Sequence, residues 1–232
     1  MKSTIHVVSL GPGDPDLLNE KTLHLLRGAE SLILRTARHP LSSWLSENGI
    51  TFTSLDSLYD QFDSFDALNR AAAEILIRAA ASSPVVYAVP DALTDRTVRV
   101  LLERAGKDIA VFIVPGVSLY DAFLSTALAC LPDRPLITVS ARELTQGFSF
   151  DPGLSLLVTE LDNEIQAGEV KLCLAEVLDD EQPVFLLRLD TPPVRIPLFE
   201  LDRRRDLDHR CAVLIPASFS RDGKSAENHW NP

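Results

Sequence analysis

Leu10-Gly11-Pro12-Gly13-Asp14-Pro15 stands directly after Ile5-His6-Val7-Val8-Ser9-Leu10, and this junction decides the fold. The run 5–10 is short, apolar and rich in β-branched residues, which reads as a buried strand. Glycines at 11 and 13 let the chain turn sharply and let backbone approach a ligand closely. Asp14 can cap a helix, with Pro15 at its first position, where a missing N–H costs nothing. Leu17, Leu18, Thr22, Leu25 and Leu26 then form one apolar stripe at helical spacing, with Gly28 near its end. The pattern is strand, tight turn, helix. Two readings stay open for the turn. It is either a structural corner or a cradle whose helix-start N–H groups meet a ligand. It is not a phosphate loop, because no Gly-Lys-Ser/Thr follows. It is not the dinucleotide fingerprint either, because Asp16 stands where the third glycine belongs.

The alternation continues outward. Ser31-Leu32-Ile33-Leu34 reads as a strand, residues 41–47 as a short helix ending at Asn48-Gly49, and residues 52–62 as a short strand followed by loop. Phe65, Leu68, Ala72, Ile75 and Ala79 recur at spacings of three and four and predict a helix. Val85–Val89 is a strand stopped by Pro90-Asp91, residues 97–105 are helical, and Ile109–Val114 is a further strand. Strands alternating with helices predict an α/β fold with a parallel sheet covered on both faces. Pro115-Gly116 is the expected boundary. An N-terminal domain would span residues 1–115 and a C-terminal one residues 116–217, with 218–232 a polar tail lacking periodicity. After Pro132, residues 136–140, 155–160, 184–189 and 211–215 read as strands around one helix, 164–178. That proportion predicts a second, mixed sheet.

A second corner, Val114-Pro115-Gly116-Val117-Ser118, repeats the first. Ser118 caps the helix that follows, to about residue 129, and its neighbouring N–H groups either serve that cap alone or also meet a ligand. Ligands of open α/β sheets sit outside the carboxyl ends of strands. The turns at 10–14, 90–93 and 116–119 all occupy such ends, so they are expected to converge on one hollow.

Composition bounds the rest. Hydrophobic residues make up 46% of the 232 residues and charged residues 24%, with a formal net charge of −11. An acidic total argues against nucleic acid, whose binders draw affinity from phosphate neutralisation. No apolar run approaches the ~20 residues that cross a bilayer, and there is no secretory h-region with a cleavage site. A cytoplasmic chain is expected, with no membrane partner. Cys130, Cys173 and Cys211 lie far apart without a CxxC pair, so they read as small apolar residues in a reducing compartment, and no metal site is expected.

The order of these segments resembles the tetrapyrrole (corrin/porphyrin) methylase family. Leu10-Gly11-Pro12-Gly13-Asp14-Pro15 followed by Val114-Pro115-Gly116-Val117-Ser118 carries the likeness. Within the family, Arg35-Thr36-Ala37-Arg38-His39-Pro40, Ser57-Leu58-Tyr59, Val85–Pro90, Glu169-Val170-Lys171-Leu172, Ile196–Asp202 and Asp208-His209 are similar to the methylase-like domain found ahead of MazG-type nucleotide pyrophosphohydrolase domains. Nothing after residue 217 resembles the pyrophosphohydrolase itself. The resemblance implies two α/β domains around a cleft, a homodimer, and S-adenosyl-L-methionine held between the domains. By position, Pro12, Asp91, Leu93, Ser118 and Leu119 would contact the cofactor, and Leu161, Leu189 and His209 would close its pocket. The implied activity is methyl transfer to a small-molecule acceptor such as a tetrapyrrole. The alternative is a non-catalytic binding or regulatory dimerisation domain. One departure bears on that choice: the family has a glycine-containing loop after the third main strand, whereas Asp91-Ala92-Leu93-Thr94-Asp95 has none.

Arg35, Arg38 and His39 form a basic cluster in an acidic chain. Family substrates bear several carboxylates, which arginine pairs well. The cluster therefore reads as substrate-binding, or else as a solvated loop making structural ion pairs. His6 and His24 read as structural. His209, ahead of the last strand, is the histidine to test. Arg203-Arg204-Arg205 is flanked by Asp202, Asp206 and Asp208, which reads as a mixed-charge loop. No motif fixes a general base, and the catalytic residues stay unassigned.

Overall fold

The computed structural model describes residues 3–131, 135–189, 191–208 and 210–217. The chain divides into two compact units, Met1–Ala122 and Phe123–Pro232. In order, the first unit comprises β1 (Ser3–Ser9), α1 (Glu20–Gly28), β2 (Ser31–Leu34), α2 (Leu41–Glu47), β3 (Thr53–Ser54), α3 (Phe65–Ala80), β4 (Val85–Val89), α4 (Arg96–Arg104) and β5 (Ile109–Val114), and it ends within α5 (Leu119–Ala127). The strands form a parallel sheet in the order β3-β2-β4-β1-β5.

The period of two along each strand distributes the core. Ile5 and Val7 of β1, with Val85, Tyr87 and Val89 of β4, pack on Leu68, Ala72 and Leu76 of α3 and on Val98 and Leu101 of α4. Val8, Leu10, Leu34, Val86 and Ala88 pack on the opposite face against Leu26 of α1 and Leu41 and Leu45 of α2. β4 is buried throughout, as the middle strand of a sheet covered on both faces must be. Each such Val, Leu or Ile side chain contributes roughly 1.5–3 kcal/mol by leaving water.

One detail differs from the sequence reading. The helix does not start at Asp14. That carboxylate caps a single 3₁₀ turn, Pro15–Leu17, and α1 begins later under Asn19, whose Oδ1 accepts the Thr22 N–H at 2.9 Å. The compact units divide inside α5, after Ala122, because the start of α5 is tied to the first unit. Asn19 donates to the Pro115 carbonyl at 2.6 Å, and the Leu119 amide donates to Asp91 at 3.1 Å.

The second unit holds β6 (Leu136–Ser140), α6 (Ala141–Thr145), β7 (Ser155–Thr159), α7 (Glu164–Ala175), β8 (Pro183–Arg188), β9 (Thr191–Pro197) and β10 (Cys211–Ile215). Its sheet is mixed, in the order β6-β7-β10-β8-β9: β6 and β7 run parallel and the remaining pairs antiparallel. Val139, Leu156, Val158 and Val213 pack with Ala167, Val170 and Leu174 of α7 and with Leu198 and Leu201. Ser140 and Glu143 close α6 with a reciprocal capping box. β9 was not expected. Pro192 and Pro193 disguise it, and an edge strand tolerates proline because its outer N–H groups have no ladder partner. The tail 218–232 lies outside the described residues.

Candidate functional site

The carboxyl ends of β1, β4 and β5 lie level, with Ser9 opposite Val89 and Val8 opposite Val114. The turns that leave them meet within the first unit. Leu10 and Gly11 donate their amides to the carbonyls of Val89 at 2.8 Å and Pro90 at 2.9 Å. Gly11 has φ +69°, and a Cβ built there would sit 3.0 Å from the Val117 carbonyl oxygen. Gly116 is crowded instead, since a Cβ there would lie 3.2 Å from that of Ser9. Glycine is favoured at both places, at Gly11 for its positive φ and at Gly116 for close approach. The turns at 10–14, 90–93 and 116–119 therefore lie against one another.

Side chains fasten the junction. Ser9 Oγ accepts the Ala92 N–H at 3.0 Å. Asp91, 2% exposed, accepts the Leu93 N–H on Oδ1 at 2.9 Å and the Leu119 N–H on Oδ2 at 3.1 Å. Ser118 and Asp121 cap α5 reciprocally: Ser118 Oγ accepts from the Asp121 amide at 3.0 Å, and Asp121 Oδ2 from the Ser118 amide at 3.2 Å. Burial pushes the Asp91 carboxyl above the usual carboxylate range. The two amide hydrogen bonds act against that shift, and the Asp121 charge adds to it. Thus the amides at 92, 93, 118 and 119 carry partners from this chain's own side chains. Pro12 is half-buried and Leu93 is 64% exposed.

The segment after β2 separates the three basic residues. Arg38 is exposed. Asp56 holds the loop beneath it, accepting from Thr36 Oγ at 2.6 Å, the Ala37 amide at 2.8 Å and Ser54 Oγ at 2.8 Å. His39 is buried. Its Nδ1 faces the Leu41 amide at 3.3 Å and its Nε2 the Gly11 carbonyl at 3.0 Å. A neutral ring protonated on Nε2 satisfies both contacts and props the first turn. Arg35, 9% exposed, turns inward and donates to Thr97 Oγ1 and Asn69 Oδ1, each at 3.0 Å. Its Nε lies 3.7 Å from Asp95, and its guanidinium carbon 5.4 Å from the Tyr59 ring centre. The neighbouring Tyr87 phenol is driven above its ordinary value, chiefly by burial and then by the Asp95 charge.

In the second unit, Leu161 is fully buried just after β7 and donates its amide to the Cys211 carbonyl at 3.4 Å. The residue before it, Glu160, adopts φ +61°, a conformation uncommon for a residue with a side chain. Leu189 is half-buried beyond the end of β8. His209 lies outside the described residues.

Sequence reasoning missed Ser9, Asp95 and Asp121. A signal existed for two of them. Ser118-x-x-Asp121 has capping-box spacing, and Asp95 immediately precedes a helix. No local pattern marks Ser9, whose partner lies 83 positions away.

The family described as Tetrapyrrole (Corrin/Porphyrin) Methylases matches residues 4–187. This chain belongs to the tetrapyrrole methylase family. It is 34% identical over 223 residues to "Uncharacterized protein YabN" of Bacillus subtilis (strain 168), covering 93% of this chain and 45% of that protein. The chain thus spans less than half the length of that relative. Its fold resembles that of the methyltransferase CobJ, with a TM-score of 0.67 at 16% identity, over 93% of this chain and 95% of that one. It also resembles uroporphyrin-III-C-methyltransferase from Thermus thermophilus, with a TM-score of 0.67 at 18% identity, over 94% of this chain and 93% of that one. The cobalt precorrin-4 methyltransferase CbiF follows at 0.62 and 17%, over 92% and 95% of the respective chains. The parallel first sheet and the mixed second sheet are those of tetrapyrrole methylase structures.

Proposed function

We propose that this chain binds S-adenosyl-L-methionine at the carboxyl ends of β1, β4 and β5 and is a methyltransferase of the tetrapyrrole methylase type. The observation that supports this reading is the junction of the 10–14, 90–93 and 116–119 turns, joined by Gly11–Pro90, Gly11–Val117 and Asp91–Leu119 contacts. The groups present there fit the cofactor. Pro12 and Leu93 offer apolar surface, and the one ionisable side chain among the proposed contacts in these turns, Asp91, is acidic. That set suits an adenosyl sulfonium better than a phosphate, which would need donors or cations.

When bound, the cofactor supplies a methyl group activated by positive sulfur. The protein's part is to hold donor and acceptor in line and keep water away. Pro12, Asp91, Leu93, Ser118 and Leu119 are the proposed contacts, and Leu161, Leu189 and His209 of the second unit remain part of the proposal. Arg38, exposed on the Asp56-held loop, is the proposed partner of a carboxylate-bearing acceptor such as a tetrapyrrole. The chain is proposed to act in the cytoplasm as a homodimer and to belong with the methylase-like domains that accompany MazG domains. Among the described residues, no helix is long and apolar enough to cross a membrane.

A second reading has its own support. The amides of Ala92, Leu93, Ser118 and Leu119 already serve Ser9, Asp91 and Asp121. A site closed up in this way suits a domain that binds or senses a ligand without turnover. Calorimetry with S-adenosyl-methionine and S-adenosyl-homocysteine decides. Heat from both, followed by methyl transfer to a tetrapyrrole, supports the enzyme. Heat without transfer across a panel of acceptors supports the sensor, and the absence of heat at millimolar ligand removes the enzyme reading.

A further inference from the structure

We propose that Arg35 is a positioning residue for the turns at the strand ends, acting through Asp95 and Asp91 on the first turn of α5. The inference rests on the reading of those strand ends as the ligand site. It starts from the loop that lacks the glycine of its family. Pro90 to Asp95 must hold a definite shape, and side chains hold it from both ends.

At the rear, the Arg35 amide donates to the Ala88 carbonyl at 2.8 Å, which fixes the residue beside β4. The guanidinium then spends its fork on separate elements: Nη1 on Thr97 of α4, Nη2 on Asn69 of α3, and Nε toward Asp95. Thr97 Oγ1 in turn donates to Asn69 Oδ1 at 3.0 Å, so the donors and acceptors form a closed set. Asp95, with a side chain 8% exposed, caps α4 through the Val98 amide at 3.1 Å and donates its own amide to the Asp91 carbonyl at 3.0 Å. At the front, Asp91 Oδ2 takes the Leu119 amide. Arg35 therefore reaches the start of α5 through direct contacts only, although it touches no residue of that turn.

A buried ion pair is a poor device for stability alone, since well-packed apolar residues of similar volume usually serve as well. A planar fork that binds two helices, α3 and the capped start of α4, in fixed directions is a good device for holding a loop, and a lysine in its place would offer only a point charge. The geometry thus gives Arg35 a role in fixing loop position beyond its role in the core.

The test compares wild type with Arg35→Lys, Asp91→Asn and the double variant, with Thr97→Val as a milder cut in the same network. Two readouts are taken: amide hydrogen exchange at Leu119, which needs no ligand, and calorimetric affinity for S-adenosyl-homocysteine. Arg35→Lys and Thr97→Val are expected to speed Leu119 exchange about threefold to tenfold and to weaken binding in proportion. The double variant is expected to fall well short of the product of the single effects, because both act on one relay. The proposal is overturned if Arg35→Lys and Thr97→Val lower the melting temperature while Leu119 exchange stays at the wild-type rate, or if the single effects multiply. Should Arg35→Lys fail to fold, Thr97→Val against Asp91→Asn supplies the same cycle. If wild type binds no adenosyl compound, the functional reading fails, and the exchange data still decide the relay.

Discussion

Gly11→Ala and Gly49→Ala form a matched pair that tests the convergence of the turns. The two glycines share nearly the same backbone, φ +69° and +71°. A methyl group at Gly49 meets nothing within 4 Å, whereas at Gly11 it lies 3.0 Å from the Val117 carbonyl oxygen. Both substitutions carry the cost of a left-handed L-residue, about 1–2 kcal/mol. Gly11→Ala adds an overpacking term against backbone, which moves less readily than a flexible side chain, of about 1–3 kcal/mol. The expected totals are about 1–2 kcal/mol at Gly49 and about 2–5 kcal/mol at Gly11. The first unit contains Trp44, so its urea unfolding can be followed by fluorescence in a Trp230→Phe background. At about 1–3 kcal/mol per molar urea, the gap between the two variants is a clear shift in midpoint. Gly11→Ala should also lose affinity for S-adenosyl-homocysteine, while Gly49→Ala retains it. Equal midpoints for the two variants would refute the juxtaposition of the first and second turns, and with it the proposed site.

Asp56 gives a pH-dependent test. Burial alone would raise its carboxyl, but hydrogen bonds from Thr36, Ala37 and Ser54, with Arg38 nearby, hold it below the usual range. A depressed folded value means that its stabilisation is present above the unfolded value, about 3.9, and is lost as pH falls through the lower folded one. Asp56→Asn should therefore flatten the acid limb of the stability profile below about pH 4, as read by urea midpoints. Ser140→Ala removes one side of the α6 capping box and is expected to cost about 1 kcal/mol in the second unit, measured by denaturation. Glu74→Ala breaks an exposed 2.8 Å pair with Arg104 and should change stability by less than about 0.5 kcal/mol.

Much of this architecture could be read in advance because the first sheet is covered on both faces. Burial on both sides makes strands such as Val85–Val89 continuously apolar, and the helices between them keep helical spacing, so periodicity separates the two. The second unit was harder to read. Edge strand β9 carries Pro192, Pro193 and Arg195 and has the composition of a loop, since its pairing depends on β8 rather than on its own side chains. The corners of the proposed site were visible because glycine followed by or following proline, at Gly11-Pro12-Gly13 and Pro115-Gly116, marks a turn in one dimension. The fate of the amides between them was not. Asp91 reads as a strand terminator in one dimension, and only the fold brings it to Leu119, 28 positions away. Arg35 shows the same limit: its sequence neighbours Arg38 and His39 made it look like part of a basic surface, while its partners come from α3 and α4.

The loop from Pro90 to Asp95 joins these observations into one consequence for ligand choice. A glycine loop leaves its amides open and its backbone adaptable. Here Asp91 and Asp121 put two carboxylates at the start of α5, where partial positive charge would otherwise draw an anion. The turn has thus met its electrostatic demand internally before any ligand arrives. An adenine nucleotide presenting phosphates to it would meet carboxyl groups that already occupy the amides, with no cation supplied by Pro12, Ala92, Leu93 or Leu119. A sulfonium carries the opposite sign. On the proposed reading of these turns as a ligand site, the same tethering that withdraws amides from a ligand favours cationic or neutral adenosyl compounds over phosphates. Adenosine 5′-diphosphate should accordingly give no thermal shift at concentrations where S-adenosyl-methionine stabilises the first unit. Equal stabilisation by the two would show that the Asp91 charge does not face the ligand at all.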